Sequence, residues 1–188
     1  MSRLPVVLGT ATIALLAACG ADNGIPPASI PNIIDTLTLT SLATGPLQAP
    51  TAYSLNARNV VRTWDVGTNF EFAFSTDTSG RSFFLPLDVL GLASNSSVKP
   101  GLKPSTIDFD QLTKAARNGY TTSDSIEIAV GETYFIRSGI NTCSALSVPL
   151  YGKLKVLFID PVADTVRIEV LANQNCGYRA LTLGIPKQ

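Results

Sequence analysis

The side chains best placed to do chemistry in this chain are its three thiols, and Cys19 is the most telling of them. It follows Leu16-Ala17-Ala18 and precedes Gly20, at the end of an apolar run from Leu4 to Leu16 that begins after a single positive charge at Arg3. Small residues at Ala17 and Ala18 let a signal peptidase grip the extended chain just before Cys19. The thiol would take a diacylglycerol, and the amino group freed by cleavage a further acyl chain such as palmitate. The apolar run is too short to cross a hydrocarbon core of ~30 Å as a permanent helix, and its charged start and small-residue end are those of an export signal. Residues 1–18 are therefore expected to be a lipoprotein signal peptide, with Cys19 as the membrane anchor. Because each buried methylene contributes about 0.8 kcal/mol, two or three acyl chains hold far more firmly than one. Gly20 stands where some bacteria place a retention Asp, which favours delivery to the cell outer membrane. With Cys19 given to lipid, Cys143 and Cys176 are the remaining thiols. In an oxidising compartment they are expected to form a disulfide, which stabilises by about 3 to 4 kcal/mol in the chain-entropy model. A two-thiol metal site is the competing reading, and no His exists to complete it.

Other reactive constellations are sparse. The sequence contains no His, so neither a Ser-His-Asp nor a Cys-His arrangement can be built. Ser96-Ser97-Val98-Lys99 matches Ser-x-x-Lys, but it sits in a Pro/Gly loop without Lys-Thr-Gly or Ser-Asp-Asn companions; Ser123-Asp124-Ser125 is only a partial echo. Asp108 with Asp110, or Glu71 facing Asp77 across a hairpin, could pair as carboxylates for hydrolysis or for calcium; turn and capping roles explain them more simply, and the spacing is not that of a calcium loop. No Gly-rich phosphate loop is present. The chain is not expected to be an enzyme, with a carboxylate-based hydrolase kept as a third reading.

Charge and composition bound the partners. Fourteen Lys and Arg balance fourteen Asp and Glu. Loss of Arg3 with the signal leaves the mature chain at minus one. The basic residues are scattered, with nothing denser than Lys153 and Lys155, so no basic patch and no nucleic-acid partner is expected. At 45% hydrophobic and 15% charged residues, there is apolar material for one packed core.

The elements that must position these groups read mostly as strands. Gly20 to Asn32, with Gly24, Pro26, Pro27 and Pro31, has the composition of a flexible tether, so residues 19–32 are expected to stand a single β-rich domain, 33–188, off the membrane. Alternation predicts about ten strands: Thr36–Thr40, Tyr53–Leu55, Val60–Thr63, Phe70–Phe74, Ser82–Leu85, Ser125–Val130, Thr133–Arg137, Leu154–Ile159, Thr165–Leu171 and Ala180–Leu183. Asp77-Thr78-Ser79-Gly80 carries turn chemistry, and Gly91–Pro104 reads as a loop. Helix formers between acidic Asp108 and Asp110 and the pair Asn118-Gly119 predict one short helix over Phe109–Arg117. Short strands without βαβ alternation give a mainly β fold, an antiparallel sandwich or open barrel. Period-two spacing puts Phe70, Phe72 and Phe74 on one face; with Tyr178 they form either core or a face for a ligand or partner.

Several segments in order resemble the HmuY-like haem-binding lipoproteins: Thr63-Trp64-Asp65, Phe70 to Phe74, Phe109-Asp110, Gly119 to Asp124, Gly131 to Ser138 and Tyr151 to Leu157. The resemblance implies a lipid-anchored β domain that holds a ligand near the cell surface. Familiar members clamp haem iron with imidazole or thioether groups, whereas this mature chain has no His and, once Met1 leaves, no Met. Only main-chain contacts or Tyr53, Tyr120, Tyr134, Tyr151 and Tyr178 remain, and no cofactor is expected. Asn173 to Arg179 resembles a recurring ending of bacterial lipoproteins, a turn that Cys176 would pin while Arg179 bonds nearby carbonyls. The functional expectation is a lipid-anchored envelope lipoprotein that binds a small ligand or a surface partner, with a structural or assembly role in the envelope as the alternative.

Overall fold

Ten strands form two antiparallel sheets in the computed structural model, which describes residues 24–65, 70–92, 97–140 and 143–187. The first sheet has the order β1-β10-β9-β8-β6, built from β1 (Ile33–Thr40), β10 (Thr165–Asn173), β9 (Tyr151–Asp160), β8 (Thr133–Arg137) and β6 (Gly101–Ser105). The second has the order β3-β2-β4-β5-β7, from β3 (Asn59–Val61), β2 (Ala52–Ser54), β4 (Phe72–Thr76), β5 (Ser82–Pro86) and β7 (Ile126–Glu127). The sheets face each other as a sandwich and do not close into a barrel.

Alternation in the strands decides what the inner face contains. Val166, Ile168, Val170 and Ala172 of β10, Leu154 and Val156 of β9, and Tyr134 and Ile136 of β8 point inward against Tyr53, Phe72, Phe74 and Phe84 of the second sheet. An aromatic series crosses the interface. Ring centroids are 5.8 Å apart for Tyr53 and Phe72, 4.6 Å for Phe72 and Phe84, and 5.8 Å, edge to face, for Phe84 and Tyr134. Such pairs contribute about 0.5–1.5 kcal/mol beyond the area they bury.

The outer face of the first sheet is covered as well. Phe135, Tyr151 and Leu171, the alternate residues of their strands, pack under Phe109, Leu112, Ala115 and Leu181. Here the expected helix over Phe109–Arg117 shrinks to a single 3-10 turn, Phe109–Gln111, that stops at an extended Leu112 (φ −77°, ψ 98°). Its backbone groups are spent on tertiary partners instead of an i→i+4 ladder. Lys153 Nζ donates to the carbonyls of Phe109 (2.6 Å) and Leu112 (2.9 Å), and the Ala115 N–H to Arg179 O (2.8 Å). Gly119 takes the left-handed conformation anticipated for it, at φ +82°.

Three further expectations need correction. Gly101–Ser105, within the expected loop, is a strand; Pro104 is tolerated because β6 ends its sheet, and a Cβ at Gly101 would meet Thr121 O at 2.5 Å. Ala180–Leu183 is not a strand; its backbone makes an isolated bridge from Lys114 to Ala180 and a bond from Leu181 N to Thr113 O (2.8 Å) instead of a ladder. Phe70 does not share a face with Phe72 and Phe74. It packs with Ala52, Ala73 and Leu87 on the other side of the second sheet, because the chain bends at Glu71 just before β4 begins.

Candidate anion-binding groove

The described part of the expected tether is fastened to the domain, and its fastening builds the groove. Cys143 and Cys176 are joined, with Cα atoms 5.8 Å apart. The loop Asn173–Arg179 that follows β10 is fixed on both sides of that bond. Asn173 Nδ2 donates to the carbonyls of Tyr178 (3.2 Å) and Ala180 (2.9 Å), and Gly177 N to Pro149 O (3.0 Å) with Gly177 at φ +77°. A Cβ at Gly177 would also meet Ile25 Cδ1 at 2.9 Å, so glycine answers both the conformation and the close approach.

Asn175 then works as a clamp on the incoming chain. Its Oδ1 accepts the N–H groups of Ser29 (2.9 Å) and Ile30 (3.0 Å), while its Nδ2 donates to Ile30 O (2.8 Å). The Tyr178 hydroxyl accepts the Ala28 N–H (3.0 Å) and donates to Pro26 O (3.1 Å). Asn32 pairs backbone to backbone with Gly184 at 2.8 and 3.0 Å, and its Nδ2 reaches the carbonyls of Ala180 (3.1 Å) and Thr182 (2.9 Å). Residues 26–32 therefore lie along the domain as a strap. The expectation of a flexible tether does not hold for them; Gly and Pro there permit an extended path, and the partners lie about 150 residues away where no local pattern reveals them.

Where the strap, the C-terminal segment and the 113–117 stretch meet, a groove of about 670 Å³ opens. Its lining includes Lys114, Arg117, Arg179 and Lys187, with Ile25, Leu183 and Ile185 among the apolar members and, among the described residues, no carboxylate. Leu183 and Ile185 are 64% and 53% exposed. Arg179 is fixed by donation from Nε (2.9 Å) and Nη2 to Ala115 O, as its place in the sequence suggested. Lys114 and Arg117 are exposed on the 113–117 stretch. Asp110 lines an adjoining hollow of about 210 Å³ that shares Thr113, Thr182 and Leu183. The scattered basic residues thus converge after all. Only the Lys114–Arg117 spacing was local enough to be read in advance; Arg179 and Lys187 arrive through the disulfide-held loop.

Lys153, which lines the adjoining hollow, is 4% exposed, its ammonium 4.4 Å from the centroid of Phe109. Burial pushes its pKa down, against the pull of Asp110 and Glu169. Its two carbonyl bonds make it a pin for the overlying segment, not a free amine.

The other residues singled out in the sequence do not assemble. Cys19 lies outside the described residues, as does Ser96; Ser97 is exposed, and Lys99 pairs with Asp88 at 2.5 Å. Phe70, Phe72 and Phe74 are buried to 2%, 0% and 0% exposure, and Tyr178 to 5%, so no face of theirs is open to a ligand. Glu71 and Asp77 sit at opposite ends of β4. The Glu71 carboxylate turns inward to accept the Leu55 N–H at 2.6 Å, whereas Asp77 Oδ1 closes its turn on Ser79 N (2.9 Å) and Arg81 N (3.0 Å). Asp108 and Asp110 are both exposed. Glu71, 3% exposed and without a cation beside it, has its pKa raised to about 8 by desolvation; it is the one fully buried acid among the described residues.

The tyrosines do not offer a haem site. Tyr53 and Tyr134 are in the inner core, with Tyr134 donating to Glu132 Oε2; Tyr120 donates to Ala116 O (2.9 Å) under the Arg137 guanidinium; Tyr151 is in the outer cluster; and Tyr178 holds the strap. Among the described residues Tyr178 is the one tyrosine lining the groove, and its hydroxyl is spent on Ala28 and Pro26, so these residues do not fit the group that the family resemblance implied.

Fold and groove together define an antiparallel β-sandwich whose disulfide-clamped end carries a cationic, apolar-rimmed surface. Comparison of the chain with protein-family models, with curated proteins and with solved structures finds no significant match.

Proposed function

We propose that this chain is a lipid-anchored binding protein of the bacterial cell envelope, exported by its first 18 residues, held through Cys19 and acting at the membrane surface rather than as a catalyst. The observation that carries this reading is the strap. Residues 26–32 are clamped by Asn175, Tyr178 and Gly184, so the chain followed back toward Cys19 reaches the cationic groove at Ile25. A disulfide beside that clamp suits an oxidising, extracytoplasmic compartment. Because the Phe stripe is core, the binding surface is the groove-bearing end. The test is incorporation of labelled palmitate into the full chain in a bacterial host, with Cys19→Ser as comparison. Label on the wild type alone supports the anchor; an unlabelled wild type refutes it.

A second reading, an assembly component of the envelope, is favoured by the outer edge of β1, the terminal strand of its sheet. That edge is met at Asn32 by Gly184 and at Thr40 by Pro50 O (3.0 Å), leaving Ile34, Thr36 and Thr38 between them as a place for strand addition.

A further inference from the structure

Charge is unevenly distributed along the sandwich. β1 climbs from Asn32, beside the groove, to Thr40, and β10 descends in register from Thr165 to Asn173. The two ends of the first sheet are thus about 25 Å apart at some 3.3 Å per residue. The lower end carries Lys114, Arg117, Arg179 and Lys187 around exposed Leu183 and Ile185. The upper end is different. Its cleft is lined by Thr44, Thr76, Asp77 and Asp164 with Val162, and Arg81 beside it is bound to Asp77 at 2.7 Å.

We propose that the groove-bearing end lies against an anionic lipid surface, with Lys114, Arg117 and Lys187 at headgroup phosphates and Leu183 and Ile185 at the border of the acyl chains. Two observations commit the groove to this occupant. The first is charge complementarity, four cations and, among the described residues, no carboxylate in the lining, combined with apolar side chains at the rim. The second is the path of the chain: Ile25 lines the same groove, and five residues separate it from Cys19, a span of at most about 22 Å at 3.3–3.6 Å per residue. The inference rests on the reading of Cys19 as the anchor, since that is what brings a bilayer within reach of this end.

The polypeptide from residue 20, exported behind a signal that adds no lipid, tests the surface independently of acylation. Vesicles of phosphatidylglycerol and phosphatidylcholine in equal parts are compared with vesicles of phosphatidylcholine alone, by co-sedimentation over a range of salt. The chain is expected to bind the anionic vesicles selectively. A basic residue at an anionic surface contributes about fivefold in partitioning, so K114E/R117E is expected to lower binding by about 25-fold or more. The side chains of Lys114 and Arg117 make no hydrogen bond or ion pair among the described residues, so this variant keeps the fold, as circular dichroism would show. The control R167E reverses an exposed charge near the upper end, about 20 Å up β10 from Asn173, and is expected to bind as the wild type. L183S/I185S is expected to weaken the binding that survives at high salt, where charge is screened. Equal binding to both vesicle types, loss of the same size in R167E, or full release by inorganic phosphate or a short oligonucleotide would overturn the proposal. Palmitate labelling of the full chain reports on Cys19 separately, so failure of the anchor and failure of the surface are distinguishable.

Discussion

Glu71 makes folding depend on pH in a direction opposite to most carboxylates. It enters the inner core at the bend before β4, is 3% exposed, and has the Leu55 N–H on Oε2 at 2.6 Å as its compensation. Desolvation raises its pKa from 4.5 to about 8. Since the folded state holds this proton more tightly than the unfolded chain, its stabilising contribution is complete below pH 4.5 and is lost as pH climbs through 8. At 1.36 kcal/mol per pH unit, the loss between pH 5 and pH 9 reaches about 4 kcal/mol as an upper bound. Glu71→Gln is the isosteric neutral form; its amide oxygen can still accept from Leu55, and it does not titrate. Urea denaturation at pH 5 is expected to place wild type and E71Q within about 1 kcal/mol of each other, with E71Q more stable by about 3–4 kcal/mol at pH 9. Lys153, held below the usual lysine range by burial, works the other way at alkaline pH. It is common to both proteins and cancels in the difference. If the two stability curves run parallel from pH 5 to pH 9, Glu71 is not held neutral by the core and the reasoning fails.

Three further outcomes follow from the packing. Replacing both Cys143 and Cys176 by Ala opens a closed loop with a sequence separation of 33, and is expected to cost about 3–4 kcal/mol; thermal melts with and without reductant check this, because reductant should lower the wild-type Tm and leave the variant unmoved. Lys153→Met removes the donor to Phe109 O and Leu112 O, leaving the buried Leu112 carbonyl unpaired and the Phe109 carbonyl with the Leu112 N–H at 3.3 Å alone. The expected cost is about 1–3 kcal/mol, with new proteolytic cuts between residues 106 and 123 and none in β9. Asn175→Ala frees the N–H groups of Ser29 and Ile30, so their amide hydrogen exchange should accelerate at least tenfold while that of β1 residues such as Leu39 holds; equal acceleration in both would place the clamp elsewhere.

Much of the sandwich was legible because a half-buried strand must alternate, as Thr36 to Thr40 does, and Thr133–Arg137 is read to the residue. Reading failed where a long-range partner outbid local preference. Phe109 to Arg117 has helical composition, yet Lys153 and Arg179 claim its carbonyls before a helix can close. Gly101–Ser105 looks like a loop because its Gly and Pro are tolerated only on a terminal strand. Of the candidate site, the disulfide and the Asn173–Arg179 turn were visible in residue type and spacing. The groove was not, since its cations come from positions 114 to 187 and nothing short of the folded chain draws them together.

The strap also sets the mechanical character of the molecule. A pull on the chain at residue 24 meets first the Asn175 and Tyr178 bonds, which hold the strap across its length. Beyond them the tension runs along the axis of β1, whose eight residues are paired with β10 from Ile33↔Ala172 to Thr40↔Thr165. Against a hold at the Thr40 and Thr165 end, that geometry loads the whole ladder in shear, so its bonds must slip together instead of parting one after another; at the pulled end, just past Asn173 of β10, the disulfide ties Cys176 to Cys143. A domain tugged from this end resists as a bolt and not as a zip.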